Sequence, residues 1–199
     1  MNPRLLLAVF LIGLFAIGAA AYAIVEGDED GAEVTYEGFA GSRLPDGVRA
    51  PAFHLTDEGD EPIAMSDFRG EPVIVTFLYT HCHDTCPAAA QQVKGALNDL
   101  GHDVPAIAIA VEPARDTSAS ARAFLSKQRM LGRMRFVLGT RDELLPVWHG
   151  YAIRPQSAAV EHQARIVLVD GRGFQRIGFP VDQATPERIA HDVRMLEQG

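Results

Sequence analysis

Apolar positions along the chain change their period several times, and each change marks an element. Residues 73–79 form an unbroken β-branched and aromatic run, the make-up of a strand buried on both faces. Beyond Pro87, Val93, Leu97 and Leu100 recur at helical spacing, and the proline suits the first turn of that helix, where no partner awaits its missing N–H. Residues 104–111 predict a second buried strand. Asp116, Thr117 or Ser118 can then cap a helix whose inner face holds Ala121, Phe124 and Leu125. Residues 135–138 predict a third strand, and Thr140 and Glu143 have capping-box spacing for a helix that reaches Trp148 with Pro146 inside it. Residues 165–169, the turn 170–173 and residues 174–179 read as a hairpin. Thr185-Pro186 opens a last helix with Ile189, Val193 and Leu196 on one face. A short strand at 53–56 precedes them all.

Alternating β and α elements closed by a hairpin and a terminal helix predict an α/β fold of thioredoxin-like type, a mixed sheet flanked by helices. Two stretches stand outside it. Residues 5–25 run without a charged side chain, and a helix of that length spans ~31 Å, about one bilayer core. Arg4 precedes this run while Glu26, Asp28, Glu29 and Asp30 follow it, so the expected topology keeps the N-terminus in the cytoplasm and exports the rest across the cell membrane. The run reads as a retained transmembrane anchor over 1–25 or, because Ala19-Ala20-Ala21 and Ala21-Tyr22-Ala23 fit small-x-small cleavage patterns, as a signal peptide. Residues 26–49 are rich in Gly, Asp and Glu without apolar period and read as a flexible spacer. The folded domain is expected over 50–199.

The 199-residue chain is 47% hydrophobic with a formal charge of −8. Since Arg4 is the only charged side chain before Glu26, the remainder is more acidic still, which argues against an electrostatic grip on nucleic acid. The chain has two cysteines, too few for a disulfide scaffold or a four-thiolate zinc site, so they act as one pair. Cys82 and Cys86 sit four apart where strand gives way to helix, which places both sulfurs on one face of the first turn. There the free N–H groups and the helix dipole favour the thiolate, the form that binds metals and attacks disulfides. A purely stabilising disulfide would close too small a loop to constrain the unfolded chain much. A peroxidatic site is disfavoured, because Tyr79 and Val75 stand where that motif needs a hydroxyl residue and a proline.

The run Cys82-His83-Asp84-Thr85-Cys86-Pro87 after a hydrophobic strand resembles the hallmark of the Sco/SenC family of thioredoxin-like copper proteins. Other segments in the same order strengthen the resemblance: Val111-Glu112-Pro113-Ala114-Arg115-Asp116-Thr117, Phe136-Val137-Leu138-Gly139-Thr140, and Val160-Glu161-His162 just before the strand at 166–169. The resemblance implies that Cys82, Cys86 and His162 are copper ligands. Two thiolates and an imidazole suit Cu(I) and can also hold Cu(II). It further implies a copper-binding chaperone that delivers the metal to the dinuclear copper site of a cytochrome c oxidase, with other copper donors or thiol reductases as partners. The alternative is a thiol-disulfide reductase for the oxidase's copper-site cysteines, with Cys82 and Cys86 as its redox pair. Thioredoxins place a cis-proline before the corresponding strand, whereas Val160-Glu161-His162-Gln163 contains none, which favours a metal over disulfide exchange alone. Glu112, Ser118 and Gln163 depart from the family pattern without removing a ligand. His81 and His83 read either as an exposed polar pair or as additions to the coordination sphere, and Asp84 as a helix cap. His54, His102, His149 and His191 lack ligand spacing, and Trp148 and Tyr151 read as packing residues.

Overall fold

The structure, a computed structural model, describes residues 12–13, 36–156 and 164–199. In chain order the strands are β1 (Ser42–Arg43), β2 (His54–Thr56), β3 (Pro62–Ala64), β4 (Val73–Leu78), β5 (Ala106–Ala110), β6 (Arg135–Val137), β7 (Arg165–Val169) and β8 (Gln175–Pro180). The helices of this domain are α1 (Thr85–Leu100), α2 (Ser118–Gln128), α3 (Arg141–Gly150) and α4 (Pro186–Glu197). β4 is buried at all of its positions, as its uninterrupted apolar run requires. It pairs in parallel with β5, Ile74 opposite Ala106 through Leu78 opposite Ala110, and antiparallel with β7, Thr76 opposite Ile166. The main sheet runs β1-β8-β7-β4-β5-β6, with β2 and β3 forming a separate hairpin. This is the mixed thioredoxin-like sheet that the alternation of elements predicts.

Local chemistry accounts for the helix ends. Thr117 caps α2 by accepting from the Ser120 amide, and Thr140 and Glu143 close the reciprocal box at the start of α3. Pro146 stays inside α3 on its exposed side, the capping box offsetting part of what the missing N–H costs. Gly101 ends α1 in the left-handed region at φ 73°. Trp148 and Tyr151 are core residues: the indole N–H donates to Ala110 O at 2.9 Å, and the Tyr151 ring meets Phe77 edge-on.

The ordered domain begins further upstream than Ala50. The chain divides into two units, Met1–Tyr36 and Glu37–Gly199, and every strand and helix named above lies in the second. Residues 37–49, read from composition as spacer, are tied into it. Ser42 and Arg43 pair with Gly178 and Ile177, and the fully buried Asp192 of α4 accepts the amides of Ala40 and Gly41 at 2.7 and 2.8 Å. An edge strand of two residues has no period to read, which is why composition misled there. Among the described residues no helix is long and apolar enough to cross a membrane. The apolar run at 5–25 lies outside them except for Ile12 and Gly13.

Where α1 crosses α4, a Cβ at Gly95 would stand 2.5 Å from Cγ and 2.8 Å from Cβ of Pro186. In an open helix Gly→Ala gains about 1 kcal/mol; here overpacking against a rigid ring reverses the sign. Gly95→Ala is expected to lower stability by about 1–2 kcal/mol in urea denaturation, and a raised midpoint would contradict this packing. Asp170 supplies a pH-dependent counterpart. Its carboxylate accepts from the amides of Arg172 and Phe174 and from Arg176 at 2.9–3.0 Å. Burial pushes its carboxyl up, but the Phe174 amide and the Arg176 guanidinium outweigh burial and hold it below the usual carboxylate range. The stabilisation is therefore full above the unfolded carboxyl's pKa and is lost as pH falls through the depressed folded value. Asp170→Asn should be less stable at neutral pH and show a flatter loss on acidification, as measured by urea midpoints across the acid range.

Candidate functional site

β4 delivers the chain to the site, and a buried carboxylate holds the exit. Asp116, at the turn before α2, accepts the Thr80 amide at 2.8 Å and the Thr80 hydroxyl at 2.9 Å through Oδ1, and the Glu112 amide at 3.1 Å through Oδ2. Burial, with the nearby charge of Glu112, pushes the Asp116 carboxyl up against these hydrogen bonds. The expected choice of Asp116, Thr117 or Ser118 as cap resolves to Thr117, which leaves Asp116 free to clasp the segment ahead of the cysteines. Sequence reasoning missed this role because the partner, Thr80, is 36 positions away.

Beyond Thr80 the chain turns, with the Cys82 amide donating to Tyr79 O at 3.3 Å. Helix α1 then starts in an unusual way. Asp84 occupies the N-cap position at φ −130°, ψ −86°, but its side chain makes no capping hydrogen bond, contrary to the expected role. The sulfur of Cys82 takes the acceptor's place: the Cys86 amide donates to Cys82 Sγ at 3.2 Å, and Thr85 Oγ1 lies 3.6 Å from the same sulfur. The first-turn amides of a helix need acceptors, and a sulfur that meets this need gains thiolate character in return.

Both cysteines are free thiols, and their surroundings differ. Cys82 keeps 8% of its surface exposed and Cys86 none. Burial pushes the Cys82 thiol up, but the Asp84 amide, the Cys86 thiol and amide and the Thr85 hydroxyl outweigh it, leaving Cys82 below the ordinary thiol range. Burial pushes Cys86 far up, and the neighbouring Cys82 charge adds to this. The pair therefore comprises one slightly exposed sulfur of lowered pKa and one fully buried, protonated sulfur behind it. The arrangement can hold a soft metal ion between two sulfurs, or attack a disulfide with Cys82 and resolve with Cys86.

His162 lies outside the described residues, with its neighbours Val160, Glu161 and Gln163. The described chain resumes at Ala164, and the pairing of Ile166 with Thr76 puts the start of β7 at the end of the sheet from which β4 runs to the cysteines. His81 and His83 are both exposed, with His81 Nδ1 3.0 Å from Thr80 Oγ1. His102 pairs with Glu197 and His191 with Gly38 O, while His54 and His149 lie on the surface.

Residues 28–198 match the SCO1/SenC family model. Protein SenC of Rhodobacter capsulatus is 30% identical over 154 residues, covering 71% of this chain and 67% of SenC. A mitochondrial SCO2 homolog of Mus musculus is 26% identical over 137 residues, covering 61% of this chain and 52% of the mouse protein. This chain thus spans two thirds of one of these curated relatives and about half of the other. Among solved structures, Bradyrhizobium japonicum ScoI with copper bound superposes with a TM-score of 0.64 at 29% identity, over 74% of this chain and 99% of ScoI.

Unequal thiols should react unequally. Iodoacetamide at neutral pH is expected to label Cys82 first and Cys86 only after denaturation, as read by peptide mass spectrometry. Cys82→Ser should leave a native chain that resists labelling, and equal labelling of both cysteines would contradict the burial described here.

Proposed function

The chain belongs to the SCO1/SenC family, and on that premise we propose that it is a membrane-tethered copper-binding chaperone that delivers copper to the dinuclear copper site of a cytochrome c oxidase. The observation that carries the reading is the pairing of two free thiols at one helix turn, Cys82 keeping a small exposed area and Cys86 none. Two thiolates form a soft donor set suited to Cu(I), and an imidazole completes a three-coordinate site that also accommodates Cu(II). In this reading His162 is the third ligand. The likeness to a copper-bound ScoI at 29% identity supports it, as does the arrival of β7 at the cysteine end of the sheet.

Copper is the cargo, so the protein's task is to hold it and let it go. Transfer proceeds by ligand exchange, in which a thiolate or imidazole of the acceptor displaces one ligand while the others retain the ion. Cys82, the less buried of the two, is where an incoming ligand can first compete. The asp-clasped segment before it keeps the two sulfurs in register during the exchange. The domain organisation follows from the same reading: residues 1–25 anchor the chain in the cell membrane with the N-terminus cytoplasmic, and the domain faces outward with a copper donor or thiol reductase and the oxidase's copper-site subunit as partners.

One observation favours a second activity. A slightly exposed Cys82 of lowered pKa in front of a fully buried Cys86 is the asymmetry a thiol-disulfide reductase uses, with Cys82 as nucleophile and Cys86 as resolving thiol. The two readings part at His162. In an anaerobic Cu(I) titration of the full chain against a competing chelator, we expect one tight site per chain that weakens about tenfold or more in His162→Ala. Reduction of a model disulfide should be largely unchanged in that variant. Unaltered copper affinity would remove the third ligand, and absence of binding by the reduced chain would leave the reductase.

A further inference from the structure

The segment that carries Cys82 also carries His81, and His81 faces a different set of groups. One ligand-capable atom from each of His81, Glu112 and Asp116 lies within 4.8 Å of the others, and among the described residues no other three His, Cys, Asp or Glu side chains come together in this way. Thr80 links the members, its hydroxyl 2.9 Å from Asp116 Oδ1 and 3.0 Å from His81 Nδ1. Hydrogen bonds of this kind orient metal-binding imidazoles and carboxylates.

The charges here do not balance internally. Glu112 Oε1 is 3.3 Å from Arg115, whose side chain is 55% exposed, but Glu112 Oε2 is buried and has no hydrogen-bond partner. A buried acceptor without a donor is costly, more so on a charged group, and a second carboxylate within the same few ångströms adds repulsion. A cation seated among the three side chains would relieve both.

We infer that His81, Glu112 and Asp116 form a binding site for a divalent cation of the Zn(II) class, separate from the thiol pair. One imidazole and two carboxylates are a borderline-to-hard donor set, suited to Zn(II) and Co(II) and not to Cu(I). The buried Asp116 and Glu112 oxygens supply the fixed side of the site, and the exposed His81 can rotate to close the donor triangle. Three protein ligands leave room for water. An ion there would join the segment after β4 to the turn at 112–116, adding a second tie beside the Asp116 clasp on the entry to Cys82.

The test uses the full chain carrying Cys82→Ser and Cys86→Ser, so its outcome does not depend on the copper reading. Calorimetric titration with Zn(II), and absorption of the visible bands of Co(II), should report one ion per chain. Glu112→Gln keeps the backbone amide that Asp116 accepts, and His81→Ala alters an exposed side chain; each is expected to weaken binding about tenfold or more, while His149→Ala leaves it unchanged. Absence of a one-to-one site in the thiol-free chain overturns the inference. Equal affinity in His81→Ala overturns it as well, since that exposed substitution cannot act through misfolding.

Discussion

The amide of Cys86 points at the sulfur of Cys82 from 3.2 Å, and the geometry of the site depends on that contact. A helix must place its first N–H groups against acceptors. In α1 the residue at the N-cap position, Asp84, does not supply one, so the side chain two residues earlier does. This curls Cys82 back over the first turn and brings its sulfur beside Cys86. The contact holds only if the chain arrives from the right direction. β4, buried along its length, fixes where the chain leaves the sheet, and Asp116 fixes how it turns afterwards.

The parts of this arrangement that could be read from the sequence are those carried by periodicity or by neighbouring residues. The buried strands, the helix starts at Thr117, Thr140 and Thr185, and the placement of both cysteines on one turn follow from such local signals. The Asp116 to Thr80 clasp does not, because a carboxylate in a loop offers many local roles and only the fold selects a distant one. The upstream boundary is similar. Phe39 and Leu44 pack against the core, yet as single apolar residues in a polar stretch they show no pattern that distinguishes docking from linker. Asp84 is the converse case: residue type and position both point to a cap, and the sulfur takes the role instead.

Burial divides the labour within the cysteine pair. Cys86 lies within the core beside Ala89 and Ala90, so anything bound to it is shielded from competing ligands on that side. Cys82 retains a small exposed surface, so exchange with an outside ligand must begin there. A site open at both sulfurs would lose a weakly held ion to any soluble thiol, and one closed at both could not hand it on. The same division serves disulfide exchange, where attack must start at the exposed sulfur and resolution must follow from the protected one. The local architecture thus fits metal transfer and disulfide exchange alike.

The second cation site inferred at His81, Glu112 and Asp116 bears on this division because it shares a segment with the thiols. Thr80, His81 and Cys82 are consecutive, and Asp116 already holds the first of them. An ion that ties His81 to the turn at 112–116 would restrict the residue immediately before Cys82, and so restrict how far Cys82 can swing toward an acceptor. Two sites that constrain one segment are thermodynamically coupled, and the coupling is equal in both directions. Whatever free energy the ion adds to keeping Cys82 in place must reappear as a change in the ion's own affinity when Cys82 moves to engage an acceptor. The clasp at Asp116 sets the resting position of the first thiol, and occupancy beside it sets the stiffness of that position.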